Sequence, residues 1–170
     1  MNNNFGDNMK KLFLPLLLFT VIFTAGCKEE KKAVSADVSK VGETITSREM
    51  FEEIKAKYKG NIVLINFFGS WCAPCKAETP DFVDVYTENK HKNFVIVGIS
   101  VDDTIEKAQG FVDQFNINYP VYMIDKPTQA YYGVSAIPTS MVIDQEGNLV
   151  DIFTGILTRD FLRQLASYAQ

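Results

Sequence analysis

The chain has 170 residues, of which 46% are hydrophobic, 12% aromatic and 22% charged, a globular composition for one domain with a short appendage. This excludes a two-domain nucleotide enzyme, a coiled coil and a disordered tail protein, and a net charge of −4 is too acidic to follow nucleic-acid phosphates. Three cysteines are too few for a disulfide scaffold, and one histidine is too few for a His-rich metal site.

The N-terminus separates from the rest. Lys10 and Lys11 precede an apolar run from Leu12 to Phe23, followed by Thr24, Ala25, Gly26 and Cys27. A basic start, an apolar stretch and small residues are the layout of a secretory signal. The run is shorter than the roughly 20 apolar residues that span a bilayer comfortably, and Pro15 argues against a buried helix. Cys27 after Thr-Ala-Gly resembles the lipobox of bacterial lipoproteins, although Thr24 stands where Leu is usual. The resemblance implies residues 1–26 as a signal peptide removed on export and Cys27 as the lipidated first residue. Residues 27–39, rich in Lys and Glu, read as a hydrated tether, and the folded domain is expected over 40–170. An exported protein can hold disulfides.

Within that domain the hydrophobic period alternates. An edge segment ends near residue 45, and Thr46-Ser-Arg-Glu49 is a capping box for a helix carrying Met50, Phe51, Ile54 and Tyr58, stopped by Gly60. Ile62–Phe68 is a continuous apolar strand of the kind buried on both faces. A helix is expected from about Cys72 to Lys90, bent at Pro80. Phe94–Val101 is a second buried strand, Asp103 or Thr104 caps a helix to Phe115, and Tyr119–Ile124 is a short extended piece. Thr139–Asp144 and Leu149–Phe153 form a hairpin around Gln145-Glu-Gly-Asn148. Thr158 caps a last helix with Phe161, Leu162 and Leu165 on its apolar face. The expected architecture is α/β, with one mixed sheet flanked by helices.

The chemistry is concentrated in Gly69-Ser-Trp-Cys-Ala-Pro-Cys-Lys76. Cys72 and Cys75, three apart where a strand gives way to a helix, can close into a small disulfide. At the open helix end Cys72 meets unpaired N–H groups and the positive end of the macrodipole. Its thiolate is thereby favoured, with a pKa in the range of about 3.5–7.5 seen at such sites. Cys72 is thus the expected exposed nucleophile and Cys75, one turn deeper and more buried, the expected resolving thiol, and Pro74 suits an early helical position. Zinc would need two further ligands, and no second CxxC or His pair exists. An inert structural disulfide is the remaining reading, but a bridge over four residues restrains the unfolded chain little.

Trp71-Cys-Ala-Pro-Cys75, Cys75-Lys-Ala-Glu-Thr-Pro80 and Ile137-Pro-Thr139 resemble the TlpA/ResA-like thiol–disulfide oxidoreductases of the thioredoxin superfamily, over about residues 40–170. The resemblance implies a thioredoxin-like fold and an enzyme exchanging disulfides without a cofactor. It also implies a cis-proline at Pro138 facing the disulfide, Trp71 flanking the site, and Ile137 as in reducing members. Asn66 departs from the buried Asp that ordinary thioredoxins place beneath the cysteines, which leaves Glu78 as the candidate acid/base. Glu78 also follows Cys75 by three residues and shares its helical face; burial would raise its carboxyl pKa. The substrate-binding set is then Trp71, Pro74, Ile137 and Pro138. The implied partners are disulfide-bearing exported proteins, apocytochrome c among them, a membrane-embedded thiol donor, and the membrane through the lipid. Two other classes are a thioredoxin-fold peroxidase, which would show Thr-x-x-Cys where this chain has Gly69-Ser-Trp-Cys72, and an anchored binding module without chemistry. A copper chaperone of this fold would need a His near Pro138, whereas His91 is the sole histidine.

Overall fold

The computed structural model describes residues 40–169; the expected signal peptide, Cys27 and the tether lie outside the described residues. In chain order the elements are β1 (Val41–Ile45), α1 (Arg48–Lys57), β2 (Ile62–Phe68), α2 (Ala73–Asn89), β3 (Phe94–Ser100), α3 (Ile105–Phe115), β4 (Val121–Ile124), α4 (Lys126–Tyr131), β5 (Thr139–Ile143), β6 (Leu149–Thr154) and α5 (Arg159–Ser167). The six strands form one sheet in the order β1-β4-β3-β2-β5-β6. β1, β4, β3 and β2 run parallel; β5 pairs antiparallel with β2, and β6 pairs antiparallel with β5 at the sheet edge.

All seven residues of β2 are buried, as a continuous apolar strand in the middle of a sheet requires. Because successive side chains point to opposite faces, Ile62, Leu64 and Phe68 join one core with α2, α3 and α5, and Val63, Ile65 and Phe67 join a second core with α1. Asn66 lies in the first series, so it points toward the face that carries α2. Gly98 on β3 leaves room there: a Cβ would come within 3.1 Å of the Phe68 ring and 3.3 Å of Tyr119.

The helix starts are set by caps. Thr158 accepts an N–H bond at the head of α5, as expected, and of the two candidates for α3 it is Thr104 that does so. At α1 the cap is one residue later than the capping box predicts. Ser47 Oγ, not Thr46, accepts from Met50 N–H at 3.2 Å. α2 continues through Pro80 to Asn89. α4 was not legible in the sequence, since six residues are too few to show a helical period. Asp125 caps it, accepting from Thr128 N–H at 2.8 Å.

Candidate active site

Cys72 is the N-cap of α2, and Cys75 lies within its first turn. The two are joined by a disulfide with Cα atoms 5.3 Å apart, and Cys75 N–H donates to Cys72 Sγ at 3.2 Å. The helix end thus presents its free N–H groups to the first sulfur, the placement that favours negative charge there. One expectation is corrected. Cys72 is not openly exposed, since it retains 4% of its surface against 0% for Cys75; the difference between the two is one of position on the helix more than of access.

Above the pair, Pro74 is exposed in the first turn of α2, and Trp71 is 67% exposed. That excludes a core role for the tryptophan. Gly69 explains how it is seated, because a Cβ there would lie 3.0 Å from the indole and 3.1 Å from Ile137 Cδ1. Trp71 and Ile137 therefore flank the same glycine, although 66 positions separate them in the chain. The Ile137–Pro138 peptide is cis. Pro138 C=O accepts from Gly155 N–H at 2.8 Å, and Thr139 Oγ1 donates to Ala136 C=O at 2.8 Å, so this loop is tied to the end of β6.

Glu78 is 2% exposed. Its Oε1 accepts from Asn66 Nδ2 at 2.9 Å and its Oε2 from Leu157 N–H at 3.0 Å. Asn66 Nδ2 donates as well to Ser140 Oγ at 3.0 Å. Burial pushes the Glu78 carboxyl up to about 7, and the two N–H donors oppose that shift without cancelling it. The same burial, with the Glu78 charge nearby, holds the Tyr119 phenol above its usual range. A carboxyl poised near neutrality on the helical face of Cys75 can take or return a proton as thiols titrate.

Sequence reasoning missed two features of this arrangement. The first is the set of partners around Glu78. Asn66 gives a signal, a polar residue inside an apolar strand, whereas Leu157 contributes a backbone group that no residue type announces. The second is Asp102, buried in the segment after β3. Its carboxylate accepts from Ser70 N–H at 2.9 Å and Ser70 Oγ at 2.8 Å.

A dithiol pair at a helix N-terminus, set on a mixed sheet beside a cis-proline loop, defines a thiol–disulfide oxidoreductase of the thioredoxin-like fold. Residues 44–152 match the AhpC/TSA family. The thiol–disulfide oxidoreductase ResA of Bacillus thuringiensis subsp. konkukian (strain 97-27) is 32% identical over 139 residues, 81% of this chain and 79% of that protein. ResA of Geobacillus thermodenitrificans (strain NG80-2) is 29% identical over 160 residues, 92% and 91% of the two chains. Among solved structures, a thiol:disulfide interchange protein from Chlorobium tepidum TLS is similar with a TM-score of 0.61 and 32% identity, over 68% of this chain and 83% of that one. The chain belongs to the AhpC/TSA family and, within it, to the ResA/TlpA-like thiol–disulfide oxidoreductases.

Proposed function

We propose that this protein is exported, is held to a bacterial membrane by lipid on Cys27, and reduces disulfides in exported proteins, apocytochrome c among them. Cys72 thiolate attacks one sulfur of the substrate disulfide. That S–S bond breaks, and the departing sulfur leaves as a thiolate and is protonated. Cys75 gives its proton to the Glu78 carboxylate and attacks Cys72 Sγ, which releases the second substrate sulfur as a thiolate. The substrate gains two electrons, and the enzyme is left with the Cys72–Cys75 disulfide present in the structure. A membrane-embedded dithiol donor returns it to the reduced form, becoming a disulfide in turn. Trp71, Pro74, Ile137 and Pro138 form the docking rim, where the backbone of Ile137 pairs with an extended substrate segment.

The reading is carried by one observation: a disulfide at the head of α2 shares its helix with a buried carboxyl whose pKa is near 7. Cys75→Ser is expected to accumulate mixed disulfides with exported proteins and Cys72→Ser is not, read on non-reducing gels with adducts identified by mass. Apocytochromes among the adducts support maturation, and a broad set of exported proteins supports general reduction. Equal trapping by both variants overturns the assignment of roles.

A further inference from the structure

Asp102 takes no part in the exchange chemistry described above, yet its carboxylate is one of the most fully bonded side chains in the domain. It is 5% exposed, and a buried charge is costly unless donors surround it. Here they do. Ser70 N–H reaches both oxygens, at 2.9 and 3.2 Å, Ser70 Oγ donates to Oδ1 at 2.8 Å, and Ser100 Oγ donates to Oδ2 at 2.8 Å. Ser100 Oγ also accepts from Asp102 N–H at 3.1 Å. Next to it, Val101 N–H donates to Phe68 C=O at 2.9 Å, joining the end of β3 to the end of β2.

These bonds converge on the turn between β2 and α2. Within that turn the backbone makes a bond of its own, Cys72 N–H to Gly69 C=O at 3.0 Å. Ser70, between Gly69 and the exposed Trp71, is held by Asp102 through both main chain and side chain. An indole that is two-thirds exposed takes its orientation from the backbone beneath it, and that backbone is referenced through Asp102 to the central strands of the sheet.

We propose that Asp102 is a positioning residue for thiol–disulfide exchange, fixing the Gly69–Trp71 turn through Ser70 so that Trp71 and Cys72 meet a docking protein disulfide in one geometry. It rests on the roles proposed for Trp71 and Cys72. A carboxylate suits the task because it only accepts, and all the groups facing it can donate. Asparagine keeps the volume but turns an amide donor toward Ser70 or Ser100, and alanine leaves the Ser70 N–H without its partner. Ser70→Ala is milder, because the main-chain bond to Asp102 survives.

The test compares the parent, Asp102→Asn and Ser70→Ala, each confirmed folded by far-UV circular dichroism. Trp71 is the sole tryptophan, so its fluorescence anisotropy reports the turn without reference to chemistry. Asp102→Asn is expected to lower that anisotropy and to slow reduction of a disulfide-bearing unfolded protein by about 10-fold, since misplacing reacting groups costs rate even when the mutation lies away from the chemistry. Alkylation of reduced Cys72 by iodoacetamide, which needs no docking, should change far less. Ser70→Ala should move the same readouts in the same direction and less far, and it carries the test if Asp102→Asn does not fold. Folded variants with parental anisotropy and parental reduction rates overturn the proposal, as does a loss of rate that only tracks the unfolded fraction. A parent that reduces no protein disulfide instead refutes the proposed function, and the anisotropy still decides whether Asp102 holds the turn.

Discussion

Glu78 is the residue whose environment makes the sharpest quantitative statement. In the unfolded chain its carboxyl titrates near its ordinary value of 4.5, and in the folded protein near 7. The folded pKa is raised, so this group's contribution to stability is complete below about 4.5 and is lost as pH climbs to about 7. The loss amounts to about 3 kcal/mol, with no further change from this group above that pH. Glu78→Gln should abolish the slope. Its Oε1 can accept from Leu157 N–H, and its amide can donate to Asn66 if that side chain turns its carbonyl inward. Urea unfolding between pH 5 and 8 should show the parent losing stability relative to the variant. Alkylation of the reduced cysteines should lose an inflection near pH 7, because a coupled titrating neighbour is gone. Profiles that overlay for the two proteins would remove Glu78 from proton handling. The candidate acid was legible from its spacing after Cys75. Its burial was not, because spacing places a side chain on a helical face and leaves open what covers that face.

Among the elements, the helices packed against β2 and β3 carry the site, and α5 closes the layer over α2. Leu162 is wholly buried, while Leu165 and Ala166 are at most 9% exposed. Phe161 sets its ring at 67° to Phe153 of β6, with centroids 4.8 Å apart. Arg159 bridges to Asp81 and Asp84 of α2, both at 2.6 Å. These pairs are partly exposed and worth little individually, so the apolar face holds α5 in place. Leu162→Ala is expected to cost about 3 kcal/mol in urea unfolding, within the range for emptying a leucine site in a core. A cost below about 1 kcal/mol would mean that α5 is not docked as described. Helical periodicity made α5 readable and continuous apolar runs made β2 and β3 readable, while Thr158 marked the start of α5 and the pair Asp103-Thr104 the start of α3. The cap of α1 lies one residue beyond the one the capping box indicates, because Thr46 and Ser47 are both competent N-cap residues. Only the path of the chain out of β1 decides between them.

At the scale of the whole molecule, the proposal concerns where the domain works. No helix among the described residues is long and apolar enough to cross a membrane, and the anchoring proposal rests on Cys27. Cell fractionation should find the parent with the membranes and carrying added lipid mass. Cys27→Ser should be released, because stable attachment takes more than one acyl chain and that residue is the proposed site of the lipid. A parent that is already soluble and unmodified by mass ends the proposal. The sequence by itself determined the layered α/β architecture and the pair Cys72 and Cys75. It did so because alternating hydrophobic periods and a four-residue motif are local properties of a chain. Tertiary structure alone decided that Asn66 and Leu157 would grip Glu78, that Gly69 would seat both Trp71 and Ile137, and that Asp102 would brace Ser70. Each of these depends on strand register and loop path, and neither a backbone N–H nor a glycine names its partner in a sequence until the fold brings that partner near.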